Sequence, residues 1–129
     1  MVVDTSVIVA ILFGETEAGH FAEMIEAEPT RLISTASVLE SALVIESELG
    51  EDGGWELDLL LLKAGIEVVP FSTDHLHVAR YAFRAFGKGR HPAGLNFGDC
   101  FSYALSKVTG EALLFKGDDF TKTDVLAFR

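Results

Sequence analysis

The sequence predicts an α/β fold, a three-layer α/β/α sandwich built on a mainly parallel, Rossmann-like sheet. Short β-rich runs alternate with helical segments along the whole chain, a pattern typical of parallel strands joined by helices that cover both faces of the sheet. The 129 residues are 49% hydrophobic and include 10 Phe, enough apolar surface for one sizeable core. We therefore expect a single domain over residues 1–129.

The first part of the chain predicts two strands and three helices. Residues 1–3 form a short apolar run, and the apolar run 5–13 ends at a glycine, as a short helix does. Residues 16–28 have apolar positions spaced for one helix face and end at a proline. A second strand at 32–33 precedes a helix over 34–49, in which five apolar residues lie at helical spacing, namely Leu39, Ala42, Leu43, Ile45 and Leu49.

The middle of the chain predicts a turn, a helix and a third strand. The acidic, glycine-containing segment 50–54 is typical of a turn, and 55–63 is apolar enough for a helix. The β-rich run IEVV follows and ends at Pro70.

The last part predicts two helices and a fourth strand. Thr73 can cap a helix that ends at Gly87, with Leu76 and Phe83 on its apolar stripe. A glycine-rich loop leads to a helix capped by Asn96, on whose apolar stripe lie Phe97, Phe101, Ala104, Leu105 and Val108. The strand ALLF comes last.

Carboxylates lie where the predicted strands end or the predicted helices begin. Asp4 directly follows the first strand, Asp118 and Asp119 follow the last strand, and Glu40 lies near the start of the helix after the second strand. Asp99 is in the first turn of a helix that no strand directly precedes. Strand C-terminal ends and helix N-termini share one edge of a parallel sheet, so these acids are expected to converge where ligands bind.

Converging carboxylates repel one another, and a divalent cation would neutralise them. Oxygen ligands without His or Cys favour a hard ion, which predicts Mg²⁺ with Mn²⁺ as a substitute. Such an ion can activate water and stabilise charge on a phosphodiester, so the pattern indicates hydrolysis of that bond.

Each acid also has a purely structural explanation. Ser37 and Glu40 match the S/T-x-x-E capping box, and Asn96 with Asp99 imitates it. The acid pair after the last strand is compatible with an ordinary turn. The case for a site therefore depends on convergence.

A formal net charge of −10 would repel a nucleic-acid backbone, so such a substrate must meet a metal or a local basic patch. Arg84, Lys88 and Arg90 belong to the one basic run, RYAFRAFGKGRH, which a solvated helix face explains equally well.

The lone Cys100 is expected to be a small core residue. We expect neither export nor a membrane span, and a cytoplasmic location.

Four blocks of the sequence are distinctive: VVDTSVIVAIL, ISTASVLESALV, GRHPAGLNFGDCFSYALS and ALLFKGDDFTKTDV. In order and spacing they resemble the PIN domain of VapC-type toxins. The resemblance covers nearly the whole chain and implies a PIN-like fold and a Mg²⁺-dependent or Mn²⁺-dependent endoribonuclease.

The resemblance also implies roles for the acids. Asp4 and Asp99 match the principal metal-binding aspartates of the family, and Glu40 matches the acid in the helix after the second strand. Asp119 is the closer match to the fourth acid, and Asp118 is then a helper. The expected mechanism is attack by a metal-activated water that Glu40 and Asp119 help to orient, with one or two ions.

Supporting residues and partners follow from the same resemblance. Ser6 matches a small hydroxyl residue that helps to orient the metal site, with Thr5 as the adjacent alternative. Arg84, Lys88 and Arg90 are expected to guide RNA. The family implies a cognate VapB-type antitoxin, a homodimer, and contact with operator DNA only through the antitoxin.

Three other classes of protein fit less well. A phosphorelay receiver needs an acid pair after the first strand, whereas Asp4 is followed by Thr5 and Ser6. An Asp-x-Asp phosphatase fails at the same serine. A catalytically inert PIN-like module that only binds partners remains the main alternative, and the presence of all four family acids speaks against it.

Overall fold

A four-stranded parallel sheet forms the centre of this computed structural model, which describes residues 1–128. The predicted domain 1–129 ends at Arg129, which lies outside the described residues. In that described part, no helix has both the length and the apolar character needed to cross a membrane. In chain order the elements are β1 (Val2–Val3), α1 (Thr5–Leu12), α2 (Ala18–Ala27), β2 (Leu32–Ser34), α3 (Thr35–Lys63), β3 (Glu67–Val69), α4 (Thr73–Phe86), α5 (Phe97–Thr109) and β4 (Leu113–Leu114).

The strand order is β3-β2-β1-β4, and every neighbouring pair is parallel. Val2 lies opposite Leu32 on one side and Leu113 on the other, so β1 is a central strand. Parallel neighbours need crossover connections, which the helices supply. The predicted α/β fold with a mainly parallel sheet is confirmed.

The helices form two layers, one on each face of the sheet. Successive residues of a strand point to opposite faces. Val3 packs in a cluster with α1, α2 and the second half of α3, whereas Val2 packs with α4 and α5. The three-layer arrangement is therefore confirmed.

The predicted break between two helices is found as a kink at Gly50, but the predicted turn over residues 50–54 is too long, because residues 51–54 are already helical. Only Gly50 departs from helical geometry, with φ 67, a conformation that costs a residue without a Cβ very little. The helix resumes at once, and its second half buries Leu57 and Leu61 in the core. The kink at Gly50 therefore agrees with the predicted boundary between two helices, whereas the turn-like composition of residues 51–54 does not prevent them from being helical.

The apolar positions predicted for the first half of α3 are buried only in part. Ile45 is buried and Ala42 packs against the core. The three leucines of the same set are exposed, namely Leu39, Leu43 and Leu49. The face that is buried in the first half of α3 consists of Ser37, Ser41 and Ile45. On α4 and α5 the exposed residues include four that were predicted to be apolar core, namely Leu76, Phe83, Phe97 and Val108. The helices pack closely through small residues such as Ala79, Ala82 and Ala104, which leaves larger side chains outside.

Candidate active site

Asp4 ends β1 and caps the N-terminus of α1, so its carboxylate is fixed at the sheet edge. Its Oδ2 accepts hydrogen bonds from the Ser6 backbone N–H at 3.1 Å and from Ser6 Oγ at 2.6 Å. Its Oδ1 accepts a hydrogen bond from Ser102 Oγ at 2.5 Å. Asp4 is only 4% exposed, and these three donors compensate for the loss of water around the carboxylate.

Buried hydroxyl groups connect this aspartate to neighbouring elements. Ser37 Oγ of α3 lies 3.4 Å from Ser102 Oγ of α5, and Ser6 Oγ accepts a hydrogen bond from the Lys116 backbone N–H at 3.0 Å. Sequence reasoning missed Ser102. The signal was available, because Ser102 lies three residues after Asp99 and hence on the same face of α5.

Asp99 lies in the first turn of α5 and forms the capping box that its spacing imitated. Asn96 Oδ1 accepts from the Asp99 N–H at 2.9 Å, and Asp99 Oδ2 accepts from the Asn96 N–H at 3.0 Å. This capping role does not explain the raised pKa of the Asp99 carboxyl. Burial raises the pKa of Asp99 from 3.8 to about 7, and repulsion from Asp4 and Asp119 adds to the increase despite the opposing Asn96 hydrogen bond.

The two acids after β4 differ in what they contact. Asp119 is exposed, and both its charge and a hydrogen bond with Asp99 raise the pKa of Asp99. Asp118 instead starts a turn, where its carbonyl accepts from the Thr121 N–H at 3.1 Å and from Thr121 Oγ1 at 2.7 Å. The structure therefore brings Asp119 to the acidic cluster and leaves Asp118 at its margin.

Glu40 lies half-buried in the second turn of α3 and faces the same cluster. Burial and repulsion from Asp4 raise the pKa of Glu40, and a hydrogen bond from Thr5 partly offsets that rise. The expected capping box of Ser37 with Glu40 is absent, since Ser34 caps α3 by accepting from the Ala36 N–H at 3.2 Å. Glu40 is therefore not occupied in holding the helix end.

Gly98 gives Glu40 the space to reach the N-terminus of α5. A Cβ built on Gly98 would lie 1.7 Å from Glu40 Oε2 and 2.4 Å from its Cδ. Only glycine permits this approach of carboxylate to backbone. Sequence reasoning did not assign this role, because the contact joins residues from separate helices.

Asp4, Glu40, Asp99 and Asp119 thus form one acidic cluster, in which burial and mutual repulsion act on the pKa values of Glu40 and Asp99. Within residues 1–128, no three His, Cys, Asp or Glu side chains are close enough to enclose an ion by themselves. Mg²⁺ typically uses one or two carboxylates and keeps water or phosphate in its other positions. The donor set therefore suits a Mg²⁺ or Mn²⁺ ion held partly by water and substrate.

Arg84, Lys88 and Arg90 are exposed and lie on the end of α4 and in the loop after it. None of them takes part in the hydrogen bonds of the acidic cluster within the described chain. The Arg90 guanidinium lies 5.8 Å from the centre of the Phe83 ring. Their role in RNA binding stays a prediction.

Cys100 is buried beside the acidic cluster, as expected of a core residue. Burial raises the pKa of its thiol to about 11, and the charge of Asp99 adds to the increase. The thiolate that a nucleophilic cysteine requires is therefore disfavoured at neutral pH.

Comparison with known proteins gives a consistent result. The family profile described as PIN domain matches residues 1–126. The chain is 55% identical over 125 residues to the "VapC ribonuclease Mb0640" of Mycobacterium bovis, covering 97% of this chain and 95% of the relative. It is also 55% identical over 127 residues to the "Ribonuclease VapC" of Mycolicibacterium smegmatis, covering 98% of both chains.

Two solved structures share the fold at low sequence identity. The crystal structure of Mycobacterium tuberculosis VapC20, described as a sarcin-ricin loop cleaving toxin, superposes with a TM-score of 0.77 at 18% identity and covers 99% of this chain and 98% of that one. A toxin-antitoxin complex from Klebsiella pneumoniae superposes with a TM-score of 0.71 at 16% identity, covering 98% of this chain and 95% of that one.

Proposed function

Since this chain belongs to the PIN domain family as a ribonuclease of the VapC type, we propose that it is a Mg²⁺-dependent endoribonuclease and the toxin of a VapBC-type toxin-antitoxin pair. One observation carries the metal dependence. Asp99 is buried among Asp4 and Asp119 with its pKa raised to about 7, a repulsive arrangement that a bound cation would relieve. Mn²⁺ is expected to replace Mg²⁺.

Asp4 and Asp99 are the residues that would hold the ion. Ser6 and Ser102 together fix both oxygens of Asp4, and the capping box fixes Asp99, so neither carboxylate has to be ordered when the ion binds. A bound divalent cation supplies activation of water and stabilisation of negative charge on the scissile phosphate.

Glu40 is the residue best placed to accept a proton from the attacking water. Its raised pKa brings the carboxylate nearer to the range in which a general base works, and Gly98 leaves the space that the carboxylate occupies against α5. Asp119 is exposed at the mouth of the cluster, where it can orient water or share a second ion. Asp118 serves as a helper in the same loop.

The test is cleavage of a panel of structured RNAs by the purified, antitoxin-free chain, with Mg²⁺, with Mn²⁺ and with EDTA. We expect internal cuts that need the ion and that Asp99→Ala abolishes. Asp52→Ala is the matched control, because Asp52 is an exposed aspartate of α3 outside the cluster. If the folded wild type cuts no RNA of the panel, the alternative of an inert partner-binding module replaces this proposal.

The antitoxin is proposed as a protein partner that covers exposed apolar surface. Trp55 is 75% exposed and Leu62 is 77% exposed, both on the second half of α3. Both line one surface patch together with Leu59, and contiguous exposed apolar patches mark interaction sites. One solved structure of similar fold comes from a toxin-antitoxin complex. Co-expression with the product of the adjacent gene should give a stable complex and suppress cleavage.

Three further parts of the proposal concern the state of the protein. We expect a homodimer, a cytoplasmic location, and contact with operator DNA only through the antitoxin. Sedimentation of the free chain at several concentrations tests the first. Electrophoretic shift of operator DNA with and without the antitoxin tests the last.

A further inference from the structure

An apolar groove of about 520 Å³ lies between α4 and α5, outside the acidic cluster. Its lining is mainly aromatic and aliphatic, and includes Phe71, Leu76, Arg80, Phe83, Phe97 and Phe101. Phe97 is 80% exposed, although it occupies an apolar position of α5. Core packing therefore does not explain why a large aromatic residue is found at this position.

The groove adjoins the acidic cluster through the first turn of α5. Phe97 directly precedes Gly98, whose Cα faces the Glu40 carboxylate, and Asp99 follows. The Phe97 ring packs edge-on against Phe101 with centroids 4.8 Å apart, in a chain of aromatic contacts that braces it. An exposed ring is thus held next to the acids that are proposed to cut RNA.

The charged side chains at the groove itself are positive, whereas the protein as a whole is negative. The chain carries a formal net charge of −10. Among the described residues that line the groove, the one charged side chain is Arg80, and the Arg90 guanidinium lies 5.8 Å from the centre of the Phe83 ring at its border. An aromatic surface edged by arginines suits a nucleotide, whose base is flat and apolar on its faces and whose phosphate is negative.

We propose that this groove binds an unpaired nucleobase of the RNA next to the scissile phosphodiester, with the Phe97 ring as the stacking surface and Arg80 against the backbone. The inference rests on the proposed ribonuclease function. A second copy of the chain or an antitoxin segment would also cover an apolar groove. The arginines and the position beside the acidic cluster favour RNA, and the other occupants are outcomes of the test.

The experiment measures binding of a fluorescent single-stranded RNA to the full chain in EDTA, where cleavage is blocked. Three substitutions separate stacking from general apolar contact: Phe97→Trp, Phe97→Leu and Phe97→Ala. We expect wild-type affinity for the first and an affinity about tenfold lower for the other two, as for loss of one stacked base. Tyr81→Leu is the matched control, since Tyr81 is a 49% exposed aromatic of α4 that does not line the groove. It should bind RNA like the wild type.

A second readout locates the contact directly. RNA carrying 5-iodouridine is irradiated with the wild type in EDTA, and the crosslinked peptide is identified by mass spectrometry. Crosslinking at Phe97 supports the assignment. Crosslinking confined to other peptides, or Phe97→Leu with unchanged affinity, overturns it.

Sedimentation of each variant distinguishes the other occupants. If Phe97→Leu and Phe97→Ala dissociate a dimer, and RNA affinity per protomer stays the same, the groove is an interface between copies and the inference is wrong. Retained RNA affinity with loss of antitoxin binding likewise assigns it to the antitoxin. A wild type that cuts RNA while Phe97→Leu keeps its KM refutes the groove assignment alone, whereas a wild type that neither binds nor cuts RNA refutes the proposed function.

Discussion

Replacing Asp99 with asparagine should stabilise the metal-free protein while abolishing its activity. In the fold, burial and the charges of Asp4 and Asp119 raise the pKa of Asp99 from 3.8 to about 7. A carboxyl whose folded pKa is raised destabilises the fold as pH rises, because the unfolded chain ionises first. The penalty is absent below the unfolded pKa, grows between about pH 4 and pH 7, and is constant above.

The size of the effect follows from the same values. Each unit by which the pKa of Asp99 is raised costs the fold about 1.4 kcal/mol, so the whole shift would cost about 4 kcal/mol above pH 7. Asp119 is exposed at the mouth of the cluster, so solvent screening reduces this value. Asparagine can still accept the capping hydrogen bond of Asn96. We therefore expect Asp99→Asn to raise the free energy of unfolding by about 1–2 kcal/mol at pH 8.

Urea denaturation in EDTA at pH 8 and pH 4 measures the difference, with Asp52→Asn as the exposed control. The gain from Asp99→Asn should be present at pH 8 and close to zero at pH 4. Added Mg²⁺ should then stabilise the wild type and not the variant, since ligand that binds the folded state raises its stability. A variant less stable than the wild type at pH 8, or a gain independent of pH, would refute the reasoning.

Three further predictions follow from the contacts of the cluster. Gly98→Ala should displace the flexible Glu40 carboxylate and lower the cleavage rate at least tenfold while thermal unfolding changes little, whereas Gly19→Ala, with open space at its Cβ, should cleave normally. Ser102→Ala should lower the free energy of unfolding by about 1–3 kcal/mol and weaken Mn²⁺ binding, because Asp4 Oδ1 loses its buried donor. Urea denaturation measures the stability, and calorimetry measures the Mn²⁺ affinity. An unchanged Mn²⁺ affinity would count against this role of Ser102. Because the most perturbed carboxyl has a pKa of about 7, cleavage should fall as pH drops below that value, and higher Mg²⁺ should move this limb of the rate profile to lower pH. A limb that stays fixed as Mg²⁺ rises would contradict competition between metal and protons.

The sheet and its connections were predictable because local signals mark their ends. Asp4 follows a two-residue strand and caps α1, whose end is marked by Gly14, and Pro70 closes the third strand. Capping residues, glycines and prolines mark the ends of helices and strands through their own backbone preferences, so they can be recognised from the local sequence. The same regularity placed Asp4, Glu40 and the acid pair at 118–119 on one edge, whereas the helix of Asp99 follows no strand, so its placement there was less certain.

The faces of the helices were not predictable from the same signals. α3 buries Ser37 and Ser41 and exposes Leu39 and Leu43, because Ser37 lies against Ser102 of α5 and a hydroxyl contact there replaces apolar packing. Periodicity places residues on faces but does not say which face meets the rest of the protein. A neighbouring element decides that.

The cluster itself was predicted in part. The acids could be nominated by position, but the groups that hold them could not, since Ser102 and Gly98 act on residues 98 and 58 positions away in the chain. The same long-range geometry distinguishes Asp119, which contacts Asp99, from Asp118, which starts a turn.

We propose that this acidic cluster holds the ion that RNA cleavage requires. The most direct measurement titrates Mn²⁺ into the EDTA-treated, dialysed chain and records free Mn²⁺ by electron paramagnetic resonance and RNA cleavage on the same samples. We predict that cleavage rises in proportion to bound Mn²⁺, that Asp99→Asn abolishes both, and that Asp52→Asn changes neither. Cleavage without bound ion, or equal Mn²⁺ binding by Asp99→Asn, would contradict the account.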